Sequence, residues 1–95
     1  WYEDCAGMVV STTPHRTGPT VCAEGSYYAR TFGTSGAAPH VSGVAALLVS
    51  TGASAERIED CILRSADDLG PEGRDPLFGY GRLNARRAVA CARRT

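Results

Sequence analysis

The chain has 95 residues and a mass of 10.0 kDa, which allows one small domain with a thin core. Ten basic and ten acidic residues cancel to a formal net charge of zero, so no overall field attracts the chain to nucleic acid or to an anionic membrane. The longest apolar run, 44–49, is far shorter than the roughly 20 residues of a membrane-spanning helix.

The start of the chain carries neither an initiator methionine nor a charged-then-apolar leader. We therefore expect the 95 residues to be a fragment or a processed product of a longer protein. A hydrophobic content of 43% is typical of globular sequence and argues against a disordered segment.

Two short strands are predicted in the first third of the chain. Residues 8–12 have the composition of a buried strand that ends at Thr13-Pro14, and 15–25 is a loop with one proline and two glycines. The aromatic and β-compatible stretch 27–32 predicts the second strand.

A helix is predicted over 37–50, and its residues are apolar almost all round. Such a helix is expected to be buried on all sides. Pro39 is compatible with it because a proline in the first turn sacrifices little hydrogen bonding. Two strands and two further helices offer too little cover, so we expect other chain to pack around this helix in the parent protein.

Two amphipathic helices are predicted in the second half, capped by Ser54 and Asn84. The first has an inner stripe of Ile58, Cys61, Ile62 and Ser65, with Arg57, Glu59, Asp60 and Arg64 facing water. The second has Ala85, Ala88, Val89 and Ala92 on one side and arginines on the other. The Asp-, Gly- and Pro-rich stretch 67–76 between them predicts an exposed loop.

The four cysteines, Cys5, Cys22, Cys61 and Cys91, lack the close pairing of a zinc site. An even number in a small chain favours disulfides and an oxidising compartment, although four cysteines allow three pairings. We expect Cys5–Cys22 and Cys61–Cys91, each adding roughly 3 kcal/mol to stability. Buried free thiols are the alternative.

The segment 33–43, Gly-Thr-Ser-Gly-Ala-Ala-Pro-His-Val-Ser-Gly, carries the chemical signal. Ser35 lies where a helix begins, so its backbone N–H has no helical acceptor and the helix dipole adds positive potential. A serine placed there can attack a carbonyl while its own N–H holds the developing oxyanion. From these residues alone, a simple N-cap role is the alternative.

The same segment resembles the nucleophile signature of the subtilisin-like serine peptidases, Gly-Thr-Ser-x-Ala-x-Pro-His-Val-x-Gly. The resemblance extends to 10–14, which is similar to the strand and loop ahead of the nucleophile, and to 78–85, which is similar to the family's closing segment. It implies that Ser35 is the nucleophile and that Gly33, Thr34 and Ser35 form the nucleophile and oxyanion loop.

Residues 1–5 and 22–25 resemble the kexin- and furin-like proprotein convertases more weakly. In that branch the residue matching Glu3 helps to bind calcium, so Glu3 is a candidate ligand of a structural calcium ion; an exposed carboxylate without a ligand role is the alternative. The matching cysteines of convertases pair with partners further upstream, which would replace the Cys5–Cys22 pair. Residues 26–32 and 39–41 depart from the convertase pattern.

Asp4, His15 and Ser35 occur in the family's Asp–His–Ser order, but they are not expected to form a triad. The family's catalytic histidine opens a helix in a His-Gly-Thr setting far upstream, whereas His15 precedes Arg16 in a loop.

His40 is unsuited as the base for Ser35. Five residues along a helix rotate it by about 140° and move it by about 7.5 Å, and the resemblance gives it a packing role. The family's oxyanion asparagine also belongs upstream, and the one asparagine present, Asn84, lies in the closing segment.

The resemblance implies that residues 1–95 are the C-terminal part of a three-layer αβα peptidase domain, an α/β fold to which they add two strands and three helices, including a buried nucleophile helix. The nucleophile segment is 33–50 and the closing segment is 78–92. The expected function is that of a serine endopeptidase in the secretory pathway or outside the cell. No cofactor is expected to take part in the chemistry.

The expected partners are a protein or peptide substrate and the remainder of the peptidase domain upstream, without nucleic acid or membrane. The isolated chain, lacking the catalytic Asp, His and Asn, is expected to be inactive. The alternatives are a non-catalytic relative that serves as a binding or regulatory module and a small disulfide-linked domain with accidental resemblance. Cleavage after basic residues is implied by the convertase branch, and broad specificity for apolar side chains otherwise.

Overall fold

A computed structural model of the chain describes residues 9–12, 27–31 and 33–94. Its elements are β1 (Val9–Thr12), β2 (Tyr28–Thr31), α1 (Thr34–Val49), α2 (Ala55–Ser65) and α3 (Ala85–Arg93). The prediction of two short strands followed by three helices is confirmed. The chain divides into two compact units, Trp1–Ala37 and Ala38–Thr95, and each is described separately.

In the first unit, β1 and β2 pair antiparallel, with Val9 opposite Thr31 and Thr12 opposite Tyr28. The prediction that β1 is buried is wrong at Val9, which is 49% exposed, because a two-stranded sheet has little surface with which to cover its own side chains. Met8 and the turn at 13–14 lie outside the described residues.

α1 begins three residues earlier than predicted, at Thr34. Pro39 is therefore its sixth residue rather than a first-turn residue. Since proline has no N–H, it leaves the Ser35 carbonyl without the donor that would normally lie one turn further along. The cost is lowest near a helix end, which is where Pro39 still lies.

The expected burial of α1 on all sides is not observed in the described part of the chain. Val44 and Leu48 are buried, whereas Val41, Leu47 and Val49 are 43%, 53% and 63% exposed. Their arrangement follows helical periodicity, because Val44 and Leu48 are four residues apart on one face. That other chain covers the remaining faces stays a prediction.

The core of the second unit is small and consists of Val44, Leu48, Cys61 and Ala88. Around it pack the partly buried residues Ile58, Ile62, Leu83, Val89, Cys91 and Ala92. The predicted inner stripe of α2 is confirmed. In α3, Ala88, Val89 and Ala92 face the core as predicted, but Ala85 is exposed because it is the first residue of the helix.

Both predicted helix caps are confirmed. The Ser54 hydroxyl accepts a hydrogen bond from the Arg57 N–H at 3.2 Å, and the Asn84 Oδ1 accepts one from the Arg87 N–H at 3.0 Å. Each bond satisfies one of the N–H groups that a helix leaves unpaired at its start.

A disulfide joins α2 to α3 through Cys61 and Cys91, whose Cα atoms are 5.6 Å apart. This prediction is confirmed, while Cys5 and Cys22 lie outside the described residues. The prediction that Arg57 simply faces water is wrong: its guanidinium donates to the carbonyl oxygens of Cys91 at 2.8 Å and Arg94 at 2.9 Å. An arginine suits this place because the last carbonyls of a helix lack partners within it.

The connection between α2 and α3 is more ordered than the predicted exposed loop. Asp67 and Arg82 form a backbone bridge, with N–H to carbonyl distances of 2.8 and 2.9 Å, and a second bridge joins Asp75 to Gly79. Gly81 has a φ of 118°, and a side chain there would collide with the Asp67 backbone. Glycine is therefore required for this close approach.

Candidate active site

Ser35 is the second residue of α1 and is exposed. Gly33, with a φ of 107°, directs the chain into the helix, a backbone conformation that residues with a Cβ rarely adopt. The Gly33 carbonyl accepts hydrogen bonds from the N–H groups of Gly36 and Ala37, both at 3.1 Å. Thr34 and Ser35 thus supply the first N–H groups of the helix, ahead of these paired donors.

The electrostatic setting of Ser35 is positive. α1 has 16 residues and no acidic residue in its first turn, so its N-terminal partial charge is not offset from within that turn. A negative charge developing on a substrate oxygen beside Ser35 would be stabilised there. This geometry provides a nucleophile and an oxyanion donor on one residue.

The histidine of this helix does not supply the base for Ser35. His40 lies on α1, as expected, and is exposed. With 3.6 residues per turn, it points away from the Ser35 side of the helix by about 140°. Asp4 and His15 lie outside the described residues, and so does Glu3.

Asn84 has a structural task in the second unit. Besides capping α3, its Nδ2 donates to Asp67 Oδ1 at 2.9 Å. The Asp67 carboxylate also pairs with Arg82 at 3.4 Å and Arg87 at 3.3 Å. The hydrogen bond from Asn84 and the two guanidinium groups lower the pKa of the Asp67 carboxyl against a smaller opposing effect of desolvation.

Sequence reasoning missed two residues that organise the second unit. Asp67 was assigned to a solvated loop, and only its place opposite the cap residue Asn84 reveals it as an anchor. Arg57 was assigned to a solvated helix face, and no sequence signal marks the carbonyl groups it reaches 34 and 37 residues later.

Metal and membrane sites were sought in the same residues. Within 9–12, 27–31 and 33–94, no group of three or more histidine, cysteine or acidic side chains is arranged to hold a metal ion. None of the helices described is long and apolar enough to cross a bilayer.

Comparison with known proteins gives a consistent family assignment. The model of the Subtilase family matches residues 8–81. A calcium-dependent protease of Nostoc sp. is 37% identical over 103 aligned residues, which cover 97% of this chain and 15% of that protein.

Two further relatives match the part of the chain that includes most of its length. An extracellular serine protease of Serratia marcescens is 50% identical over 64 residues, covering 65% of this chain and 6% of that protein. Thermitase of Thermoactinomyces vulgaris is 47% identical over 64 residues, covering 67% of this chain and 22% of its own. The chain thus spans less than a quarter of the length of each of these relatives.

Proposed function

The chain belongs to the subtilase family, and from that premise we propose that it carries the nucleophile of a serine endopeptidase. Ser35 is the proposed catalytic residue, with Gly33 and Thr34 forming the rest of the nucleophile loop. The observation that carries the proposal is the exposed Ser35 in the first turn of α1, ahead of the paired N–H groups of Gly36 and Ala37.

The proposed reaction is an acyl transfer. The Ser35 Oγ bonds to the carbonyl carbon of the scissile peptide as its proton passes to a base, and the carbonyl oxygen becomes an oxyanion that accepts a hydrogen bond from the Ser35 N–H. Collapse of this intermediate breaks the C–N bond, and the base returns the proton to the leaving amine. Water, deprotonated by the same base, then releases the acid and restores the hydroxyl.

The base, its orienting carboxylate and the second oxyanion donor are proposed to come from residues outside these 95. In this proposal, 1–95 is the C-terminal part of the peptidase domain, with 33–50 as nucleophile segment and 78–92 as closing segment. The exposed apolar residues Val41, Leu47 and Val49 support it, because a large apolar surface on a helix is normally covered in a complete domain. The small share of each relative's length that the chain covers is also in agreement.

A fluorophosphonate probe tests both parts of the proposal. In the longer protein that contains this chain, Ser35→Ala should abolish labelling and lower kcat for peptide cleavage by about 10⁴- to 10⁶-fold. Ser42→Ala is the matched control, since Ser42 lies exposed on the same helix and bonds to the Ala38 carbonyl at 3.4 Å; it should retain labelling and cleavage. Labelling of the longer protein that survives Ser35→Ala would refute the assignment of the nucleophile.

The isolated 95-residue chain should remain unlabelled, because a serine hydroxyl without a base is a poor nucleophile. Stoichiometric labelling of Ser35 in the isolated chain would refute the proposal that the base lies elsewhere. If the longer protein is not labelled either while it still binds peptides, the alternative of a non-catalytic binding or regulatory module replaces the enzyme.

Protein or peptide substrates and a location outside the cell are proposed with the enzyme. The related extracellular serine protease of Serratia marcescens supports the location, as does the Cys61–Cys91 disulfide, since disulfides persist in oxidising compartments.

A structural calcium ion at Glu3 is proposed with less structural support. Two relatives are calcium-dependent proteases, whereas the residues described here hold no ligand cluster. Calcium should raise the melting temperature of the longer protein and should do so less after Glu3→Gln. An equal rise in both proteins would remove Glu3 from the site.

A further inference from the structure

A groove in the second unit lies along α3, beside the C-terminal half of α1. It consists of two adjoining cavities of about 730 and 480 Å³ that share Leu47, Val89 and Arg93. Leu47 is 53% exposed, so the floor of the groove presents aliphatic surface to solvent. We call this feature the α3 groove.

The arginines around the α3 groove differ from the others with described side chains. Elsewhere each guanidinium has a partner: Arg57 bonds to two carbonyls, Arg64 to Asp60, Arg82 and Arg87 to Asp67, and Arg74 lies over Tyr80. Among the side chains that the structure describes, the ones without an acidic or aromatic partner are those of Arg86, Arg93 and Arg94, and all three line the groove.

The spacing of these arginines fits a helical or extended ligand. Arg86 and Arg93 are seven residues apart on α3, so they lie on one face and about 10.5 Å apart along its axis. The aliphatic floor of Leu47 and Val89 lies in the same cavity as both arginines.

The charge of this region is not balanced locally, although the chain as a whole is neutral. Residues 82–94 contain five arginines and no acidic residue. Arg82 and Arg87 share the Asp67 carboxylate, which leaves the groove side of α3 positive. Surfaces that combine an apolar floor with unmatched charge are complementary to an amphipathic partner of the opposite charge.

We propose that the α3 groove binds an acidic amphipathic segment of a separate polypeptide, one not contained in these 95 residues. Its apolar side chains pack on Leu47 and Val89, and two carboxylates about two helical turns apart pair with Arg86 and Arg93. A polypeptide fits better than a nucleic acid because the groove is lined by aliphatic side chains and holds no aromatic residue on which bases stack. The proposal goes beyond the peptidase function and needs no contribution from Ser35.

Fluorescence anisotropy with a designed peptide tests the proposal on the full 95-residue chain. The probe is a fluorescein-labelled, alanine-based helix of about 15 residues with leucines on one face and two glutamates seven residues apart. A second peptide with glutamine in place of glutamate is the matched control. The glutamate peptide should bind at least about fivefold more tightly than the glutamine peptide, and the difference should shrink at high salt.

Variants locate the binding to the groove. The double variant Arg86→Gln/Arg93→Gln should weaken binding of the glutamate peptide by about tenfold, as expected for two exposed ion pairs, and Leu47→Asn should also weaken it. Arg64→Gln is the control for loss of one positive charge, because Arg64 lies outside the groove and pairs with Asp60 at 2.8 Å; it should leave binding unchanged. Unchanged circular dichroism of each variant shows that the fold is retained.

Four results would overturn the proposal. These are failure of the glutamate peptide to bind at about 1 mM, equal affinity of the two peptides, an unchanged affinity in the double variant, and binding of oligouridylate or phosphatidylglycerol vesicles in place of the peptide. Self-association of the chain that disappears in the double variant would identify a second copy as the occupant instead. Ser35→Ala should leave peptide binding intact, so the failure of this proposal is distinct from failure of the peptidase assignment.

Discussion

Removal of the Cys61–Cys91 disulfide is expected to destabilise the helical unit more than any single contact in it. The two cysteines are 30 residues apart, and Cys61 is fully buried in the core formed with α1 and α3. Closing a loop of that length lowers the entropy of the unfolded chain by about 12 cal/mol/K, which corresponds to about 3.6 kcal/mol at 25 °C. A chain of this size has a total stability of roughly 5–14 kcal/mol, so the loss is a large share of it.

The expected shift in melting temperature follows from this free energy. For a domain of this length, 1 kcal/mol corresponds to about 4–8 °C, so we expect a fall of roughly 15–30 °C. The measurement is thermal and urea denaturation followed by far-UV circular dichroism. The variant is Cys61→Ala/Cys91→Ala, with alanine rather than serine because a hydroxyl at the fully buried Cys61 would need a hydrogen-bond partner.

A second double variant separates the two pairs of cysteines. Cys5→Ala/Cys22→Ala keeps the Cys61–Cys91 bond, so a reducing agent should still lower its melting temperature by the full amount. In contrast, the reducing agent should not destabilise the second unit of Cys61→Ala/Cys91→Ala any further. A melting temperature of Cys61→Ala/Cys91→Ala within about 5 °C of the parent would refute the reasoning, since packing and the Arg57 hydrogen bonds would then suffice to hold α2 to α3.

Three further predictions concern the polar links and turns of the same unit. Because the pKa of Asp67 is lowered in the folded state, its contribution to stability is complete above the unfolded value of 3.8 and is lost as the pH falls through the folded pKa; Asp67→Asn should lower the melting temperature at neutral pH and bring it close to that of the parent at acidic pH. Arg57→Met should lower the free energy of unfolding by about 1–2 kcal/mol, because two carbonyls lose a charged donor, and the urea midpoint should fall with an unchanged m-value. Gly81→Ala should cost more than Gly73→Ala, since both glycines have positive φ but only the Cβ at 81 meets backbone; the strain alone accounts for about 1–2 kcal/mol, and equal urea midpoints would contradict the clash.

Local sequence signals predicted the helices of the second half almost to the residue. Ser54 and Asn84 were identified as caps because a short polar side chain before an amphipathic stretch can pair with an N–H of the first turn, and both do so. The start of α1 was placed three residues late. Gly33-Thr34-Ser35-Gly36 has the composition of a turn, and the hydrogen bonds to the Gly33 carbonyl that extend the helix are not visible in composition.

The position of Ser35 at the start of a helix was predicted from the sequence, and the structure places it in the first turn of α1, exposed and with no acidic neighbour in that turn. Its role as nucleophile stays a prediction. It depends on groups that must lie beside the hydroxyl in space, and helical geometry excludes the nearest candidate in sequence, His40.

The sequence by itself determined the family, the order of the elements, the two caps and the Cys61–Cys91 pairing among its alternatives, because each depends on residues close together or on a pattern matched along the chain. Only the tertiary structure decided that Arg57 ends α3, that Asp67 anchors the connection between the helices, and that Arg86 and Arg93 flank an aliphatic groove. Charged side chains look alike in sequence, since each is compatible with a solvated face. Their roles depend on which distant carbonyl, carboxylate or apolar surface the packed helices bring within reach.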